Sequence, residues 1–380
     1  MIKYDSVRNF LMVLLMYLFR VFKIKNNKIL FMSYYGNYYN DNPLFISEVL
    51  QNYKDVDIVW CLKDGIAHPD SIRTVAPGTF SYIYELATAK IWVDNCRKYN
   101  WIRKREGQFY IQTWHGALLN KRIEKDAIDK LPKTYIERAM RDAKYVDMMI
   151  SGNAFFTELC YKCFWYNGRV LECGTPRLDI FFEDRVKINA TVREKMGLKE
   201  NDFIVLYAPT FRENHRMDCY NVDFSSLSQM ITRVYGQNAS FLVRLHPNLV
   251  NENLPTEYDD ELVNVTQYQN LYELIIASDL IISDYSSLVF EAGLLKKRIL
   301  LYVPDLEEYK KERGFYWEIE ELPFPFAMDN EKLCKLVEFV NTDEYIDRIN
   351  EFYKKLGIKE YGNASEKVAK EIIKVINSSN

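Results

Sequence analysis

The sequence predicts an α/β fold in which two doubly wound, Rossmann-type parallel sheets face a central cleft. Two observations carry this. Short β-rich apolar runs alternate with helical stretches along the chain, the pattern of parallel sheets built from strand–helix–strand crossovers. A length of 380 residues also exceeds one core of roughly 100–200 residues, so the runs divide into two sets. Open α/β sheets bind ligands beyond the carboxyl ends of their strands, so residues that carry chemistry are expected directly after strands.

Residues 1–25 stand apart. Within residues 1–28 six basic side chains (Lys3, Arg8, Arg20, Lys23, Lys25, Lys28) face a single acid, Asp5, and an unbroken apolar run fills Phe10–Phe19. That run is too short to span a bilayer, which takes roughly 20 apolar residues. A helix here is expected to lie on an anionic membrane surface, burying Phe and Leu at the acyl boundary. The competing reading is a helix packed into the first domain. Arg20, Lys23 and Lys25 follow the run where a cleavable signal would carry small residues, which argues against a signal peptide.

Residues 26–182 form the first expected domain, with strands at 28–34, 56–62, 90–94, 108–113 and 145–150. Residues 183–362 form the second, with strands at 203–208, 240–246, 279–283 and 298–303. The junction falls near 174–190, where Gly174-Thr175-Pro176 breaks the last run of the first half. In 363–380, Val368, Ile372 and Ile376 recur at every fourth position and mark a helix with one apolar face.

A net charge of −3 excludes a general electrostatic affinity for nucleic acid. The seven cysteines (61, 96, 160, 163, 173, 219, 334) are odd in number and scattered, unlike a disulfide scaffold, and point to a reducing compartment. Cys160-x-x-Cys163 lacks the second pair that a zinc site needs and reads as buried thiols on a helix face.

In the first half, Gln112-Thr113-Trp114-His115-Gly116 ends an apolar strand. His115, one of only four histidines, is placed to take a proton from an attacking hydroxyl, and Gly116 lets another group approach the backbone. A strand-end histidine is also commonly structural. Asn95 and Arg97 end another strand, and five basic residues fall within Arg97–Arg105. They read either as a solvated loop or as a grip on a phosphorylated acceptor.

In the second half, Thr210-Phe211-Arg212 follows one strand, and Arg244-Leu245-His246-Pro247 closes the next. His246 and the two arginines suit the oxygens of a phosphate and the charge of a leaving group. Ser283-Asp284-Tyr285-Ser286-Ser287 follows a third strand and opens a helix carrying Glu291, a constellation that favours phosphate and equally resembles a plain helix cap. No Gly-x-Gly-x-x-Gly or P-loop lysine motif occurs, and no Asp-x-Asp stands at a strand end. Stabilisation of the leaving group is therefore expected from His, Arg and backbone dipoles, with no metal and no cofactor.

The order of motifs resembles the CDP-glycerol glycerophosphotransferase family of teichoic acid and capsule enzymes. The likeness runs over roughly 30–345, through AKIWVDNCR (89–97), YIQTWHG (110–116), GTPRLD (174–179), LYAPTFRE (206–213), RLHP (244–247), ASDLIISDYSS (277–287) and LYVPDLEEYKKERGFY (301–316), with Asp41-Asn42-Pro43 before them. It implies a GT-B fold, with an acceptor-side first domain, a donor-binding second domain and a last helix able to cross back to the first. It implies transfer of glycerol or ribitol phosphate from a CDP-polyol to a hydroxyl of a lipid-linked polymer at the cytoplasmic face of the membrane, with release of CMP.

On this resemblance His115 is the base and His246 steadies the diphosphate. Thr210, Arg212, Arg244, Asp284, Ser286, Ser287 and Glu291 belong to the donor side, with Glu291 where the family usually has Asp. Asn95, Arg97, Trp114, Gly116 and Lys121 belong to the acceptor side. After Trp-His-Gly the family usually reads Thr-Pro-Leu-Lys; this chain reads Ala117-Leu118-Leu119-Asn120, with Lys121 one place later. That departure bears on the acceptor. The long extra N-terminal module of larger polymerising members is not expected here, so single addition stands beside polymerisation as an expectation. A GT-B glycosyltransferase using a nucleotide sugar and a non-catalytic scaffold of an assembly complex are the alternative readings.

Overall fold

The structure, a computed structural model, describes residues 2–116, 118–212, 218–245 and 262–378. The chain divides into two compact units, one of Met1–Ala117, Ile123–Asp179 and Lys359–Asn380, the other of Leu118–Arg122 and Ile180–Ile358.

The first unit holds a seven-stranded sheet: β1 Lys25–Met32, β2 Asp57–Cys61, β3 Arg73–Val75, β4 Ala89–Asp94, β5 Phe109–Gln112, β6 Met148–Ser151 and β7 Arg169–Glu172. Their order is β3-β2-β1-β4-β5-β6-β7, and every pairing is parallel. The order reverses between β1 and β4, which makes the carboxyl ends of β1, β4 and β5 the ligand-facing switch region of a doubly wound sheet. Burial explains why the central strands read as unbroken apolar runs. Ile29, Phe31, Ile91 and Val93 are fully enclosed between helices, where no polar alternation is tolerated.

One covering layer comes from distant parts of the chain. The helix Asp41–Leu50 packs with the C-terminal helix Ala364–Asn377, and Ile46 and Leu50 share one core with Val368, Ala369, Ile372 and Ile376. The last helix is fastened at its start by Asp179, whose carboxylate accepts from the amides of Ala364 (2.9 Å) and Ser365 (2.7 Å). The N-terminal helix Ile2–Leu18 turns Met16 inward. Lys28, counted above among the basic residues of the N-terminal segment, is not at a surface. It is buried on β1 with its ammonium 2.6 Å from Glu85 and 2.9 Å from Thr88, because a strand between two others has no route to water.

The second unit holds a six-stranded parallel sheet: β8 Phe203–Tyr207, β9 Ala239–Val243, β10 Leu262–Asn264, β11 Leu280–Ser283, β12 Arg298–Tyr302 and β13 Phe326–Ala327, in the order β10-β9-β8-β11-β12-β13. Its switch lies between β8 and β11, where Thr210 and Asp284 meet.

The sequence patterns located nine strands and missed four: β3, β7, β10 and β13. All four are the outermost strands of their sheets. An outer strand pairs on one side and faces solvent along the other, so it is short and carries no continuous apolar run. Among the described residues, no helix is long and apolar enough to cross a membrane. The seven cysteines are free and buried.

Candidate active site

In the first unit, the loops after β1, β4 and β5 converge on His115. The carbonyl of Asn95, just past β4, lies 2.8 Å from His115 Nδ1. A carbonyl only accepts, so Nδ1 carries the proton and Nε2 keeps its lone pair. The imidazole stacks on Trp114, with ring centroids 4.5 Å apart, and lies against Tyr34 at 5.5 Å. Burial lowers the imidazole pKa below its usual value; Arg177 pushes the same way, while the Asn95 carbonyl and Asp41 oppose it. The balance leaves a neutral ring at physiological pH, the state in which an imidazole accepts a proton.

The backbone around this ring is strained. Tyr34, Tyr35, Asp41 and Trp114 all take left-handed conformations, with φ of 44°, 58°, 64° and 54°. Bulky residues adopt these only where neighbours over-determine them, a condition that clusters at functional sites. The neighbours are identifiable. Trp114 N donates to Gln112 Oε1 (2.9 Å), and its carbonyl accepts from Asn42 Nδ2 (3.1 Å). Asp41 accepts from the Tyr34 hydroxyl and pairs with Arg177 at 2.8 Å, while Asn42 Oδ1 accepts from Arg177 N (3.1 Å). Tyr34, Asp41, Asn42 and Arg177 were given no role in the sequence; the signal lay in the ordered segments Asp41-Asn42-Pro43 and GTPRLD, which bring no titratable motif of their own.

The expected acceptor-side residues are placed differently from one another. Gly116 is buried beside His115. The Asn95 side chain is fully buried, accepting from Tyr34 N (2.9 Å) and donating to Ser33 (3.1 Å), so it shapes the site through its carbonyl. Arg97 is also buried: it pairs with Glu124 at 2.6 Å and Asp142 at 3.4 Å and lies over the Trp114 ring at 5.6 Å. Three of the five cations in the basic stretch, Arg97, Lys98 and Lys104, face carboxylates, while Arg103 and Arg105 reach backbone carbonyls. Lys98 faces Asp94 at 2.8 Å, Lys104 pairs with Asp147, and Arg105 donates to the carbonyls of Phe22 and Ala87. Lys121 belongs to the second unit, with its ammonium 5.2 Å over the Tyr309 ring.

In the second unit, Thr210, Arg212 and Asp284 form one closed network. The Thr210 hydroxyl donates to Asp284 (2.6 Å), and Arg212 bridges Asp284 (2.9 Å) and Asp305 (2.6 Å). Tyr285 donates to Asp305 (3.0 Å) and stacks on Tyr309 at 3.8 Å. These residues fix the loops rather than present charge, since Arg212 is buried and its partners hold it firmly protonated. Arg244 likewise spends its guanidinium on the carbonyls of Val265 and Tyr268. Glu291 is buried within the helix Leu288–Leu294. Ser286 and Ser287 are half-buried at the start of that helix, and Ser287, at the cap position, makes no side-chain bond to it. His246 lies outside the described residues. Among the described residues, no group of three or more His, Cys, Asp or Glu is arranged to hold a metal ion.

Two doubly wound parallel sheets, each with polar residues gathered past the carboxyl ends of its central strands, are the architecture of a GT-B-like group transferase. Comparison with known proteins makes that class particular. Residues 14–374 match the family described as CDP-Glycerol:Poly(glycerophosphate) glycerophosphotransferase, and the chain belongs to that family. It is an enzyme of the CDP-glycerol glycerophosphotransferase type.

It is 32% identical over 371 residues to a teichoic acid poly(glycerol phosphate) polymerase of Bacillus spizizenii, over 92% of this chain and 93% of that one. It is 29% identical over 369 residues to a teichoic acid glycerol-phosphate transferase of Staphylococcus aureus, over 92% and 93% of the two chains. A histidine-to-asparagine variant of the wall teichoic acid polymerase TagF, soaked with CDPG, matches at a TM-score of 0.87 and 27% identity, over 99% of this chain and 97% of that one.

Proposed function

We propose that this enzyme transfers glycerol phosphate from CDP-glycerol to a terminal hydroxyl of a membrane-linked teichoic acid or capsule polymer, with His115 as the general base. The observation that carries the reading is the bond from His115 Nδ1 to the Asn95 carbonyl, which reserves Nε2 for the substrate proton. The acceptor oxygen attacks the β-phosphorus and gives its proton to Nε2. The bond between the β-phosphorus and the bridging oxygen breaks, CMP departs with the electron pair, and a phosphodiester forms. Ser286 and Ser287 hold donor phosphate oxygens, and His246 steadies the charge on the phosphate of the departing CMP. Arg97, Asn95 and the Asp41–Arg177 pair act on the site by fixing His115 and Trp114.

The acceptor is met at an anionic membrane surface. Val7, Phe10, Leu11, Leu14, Tyr17 and Leu18 are all exposed, their spacing of three and four puts them on one stripe of the N-terminal helix, and Val21 is exposed in the turn that follows. Phe10 is 68% exposed and Val21 80%, an apolar surface that water does not favour, flanked by exposed Arg8, Lys23 and Lys25.

The test is CMP release by the purified chain given CDP-glycerol, CDP-ribitol or a UDP-sugar, with and without membrane lipid extract, alongside His115→Ala. Lipid-dependent CMP release from CDP-glycerol, lost in His115→Ala with donor affinity kept, is expected. UDP release, or a wild-type rate in His115→Ala, overturns the donor or the base respectively.

A further inference from the structure

Three arginines of the first unit are not neutralised. Arg138 and Arg141 lie one turn apart on the helix Lys133–Ala143, and Arg103 stands on the loop between β4 and β5. All three are half-buried, and among the described residues none forms an ion pair with a carboxylate. Their polar partners are uncharged. Arg103 donates to the carbonyls of Asn100 (2.6 Å) and Ile102 (3.0 Å), and Arg141 donates to the Asn100 side chain. Arg138 keeps its Nε buried without a hydrogen-bond partner, and its guanidinium lies over the rings of Tyr135 (5.2 Å) and Tyr35 (6.0 Å). The carboxylates nearby are committed elsewhere: Asp142 to Arg97 and the Lys98 amide, Glu124 to Arg97 and the Tyr135 hydroxyl.

Like charges one turn apart on a helix work against folding unless something answers them. Burial lowers the Arg141 pKa, and Arg103 and Arg138 push it the same way, against Tyr145 and Asp142. The three guanidiniums therefore act on one another. A surface that gathers such charge and leaves it unanswered is complementary to an anion that arrives from outside.

The cluster adjoins the candidate base within the same unit. The Tyr35 ring lies 5.2 Å from Tyr99, and Tyr35 directly follows Tyr34, whose ring lies 5.5 Å from His115. Both tyrosines are left-handed, at φ 44° and 58°, a strain that persists only where neighbours impose it. Burial, Asp94 and Asp41 push the Cys96 thiol up, while the Tyr34 amide and Arg138 oppose them. The Arg138 charge thus reaches the loop whose Asn95 carbonyl holds the imidazole. In a polyol-phosphate chain the terminal hydroxyl is separated from the first phosphate by a single short polyol. A chain that presents this hydroxyl to Nε2 carries its first phosphate close to the imidazole, on the face that Tyr34 and Tyr35 connect to Arg138.

We propose that Arg138 takes the first phosphodiester of the acceptor chain and that Arg141 and Arg103 take the next, with Tyr35 and Tyr99 packed against the polyol carbons between them. The proposal rests on the acceptor reading above and on His115 as base. The first unit then recognises an acceptor that already carries polyol phosphate, through charge-assisted bonds from guanidinium forks to a repeating anion.

The test uses the full-length chain and two lipid-free probes of equal length, poly(glycerol phosphate) and uncharged polyglycerol. Wild type, Arg138→Gln, Arg141→Gln and Arg138→Lys are compared by probe Kd and donor Kd in calorimetry, by acceptor KM with CDP-glycerol and a lipid extract, and by sedimentation with phosphatidylglycerol vesicles. Wild type is expected to bind poly(glycerol phosphate) at least about tenfold more tightly than polyglycerol, with the advantage shrinking as salt is added. Each glutamine variant should raise probe Kd and acceptor KM by about tenfold or more with donor Kd within about twofold, and Arg138→Lys should recover part of the loss. Equal binding of the two polymers by wild type overturns the subsite, whether or not a variant folds. Unchanged probe affinity in both glutamine variants also overturns it. A loss of vesicle sedimentation with probe affinity kept overturns it in favour of a lipid headgroup contact. Absence of CMP release from CDP-glycerol overturns the reaction reading instead, and the probe Kd still decides the subsite.

Discussion

Glu360 offers the sharpest test of the energetics of the first unit. It is among the first residues after the chain re-enters that unit, and its carboxylate accepts from Thr175 N (2.8 Å) and the Thr175 hydroxyl (2.7 Å). It lies so close to the backbone that a Cβ at Gly152 would fall 1.9 Å from Oε1, and one at Gly174 would fall 3.0 Å from Oε2. Burial pushes its pKa from 4.5 to about 7; the Thr175 bonds and Arg177 pull it down, and Asp179 pushes it up.

The folded state therefore binds the proton more tightly than the unfolded chain. Stability is full below the unfolded value near 4.5, falls as pH rises through the window up to about 7, and is level above it. At ~1.4 kcal/mol per pKa unit the loss is about 3 kcal/mol, or roughly 5–10 °C in a unit of this size.

Glu360→Gln mimics the protonated acid. Its carbonyl accepts the Thr175 amide, and its NH2 donates to the Thr175 hydroxyl oxygen, which turns its own hydrogen away. Melting both proteins between pH 4.5 and 8.5 and subtracting cancels every other titration. The difference should be near zero at pH 4.5 and reach about 3 kcal/mol in favour of the variant at pH 8. A pH-independent difference would refute the raised carboxyl and the burial argument behind it.

Three further outcomes are expected. Replacing Ser286 and Ser287 together with Ala should weaken CDP-glycerol binding by about tenfold or more while leaving the melting temperature within a few degrees; unaltered affinity in calorimetry would take them out of the donor site. Arg97→Ala leaves Glu124 and Asp142 buried without their cation and should cost about 3–5 kcal/mol in urea unfolding, whereas an unchanged midpoint with only a raised acceptor KM would restore the phosphate-grip reading. Phe10→Asp with Leu14→Asp, both at exposed positions, should lower sedimentation with phosphatidylglycerol vesicles by at least about tenfold without destabilising the fold, and equal sedimentation would remove the stripe as a membrane contact.

What could be read from the residues, and what could not, follows the range of the forces involved. β1, β4, β8 and β11 announce themselves because burial on both faces demands an apolar run, while β3, β7 and β10 are partly solvated and β13 is only two residues long, so they carry little of that pattern. His115 is legible as a strand-end histidine, but its tautomer is not, because the deciding carbonyl belongs to Asn95, 20 residues earlier. Arg97 and Arg212 advertise charge without naming a partner. The carboxylates that neutralise them stand 27 and 45 residues away for Arg97, and 93 residues away at Asp305 for Arg212. A sequence shows a cation; only the fold shows whether it is already spent.

The interlocking of the helix Ala364–Asn377 with β1, β2 and β4 has a consequence for how the molecule is made. A ribosome delivers about 5–20 residues per second, so the strands of the first sheet emerge tens of seconds before the helix that seals them. Apart from the five residues Leu118–Arg122, the second unit is a continuous stretch that emerges whole before that helix does. The half translated first is thus the half completed last. During the interval Ile29, Phe31 and Val93 have one face uncovered, and a nascent chain halted before Ile376 would present that apolar sheet to chaperones and to other chains.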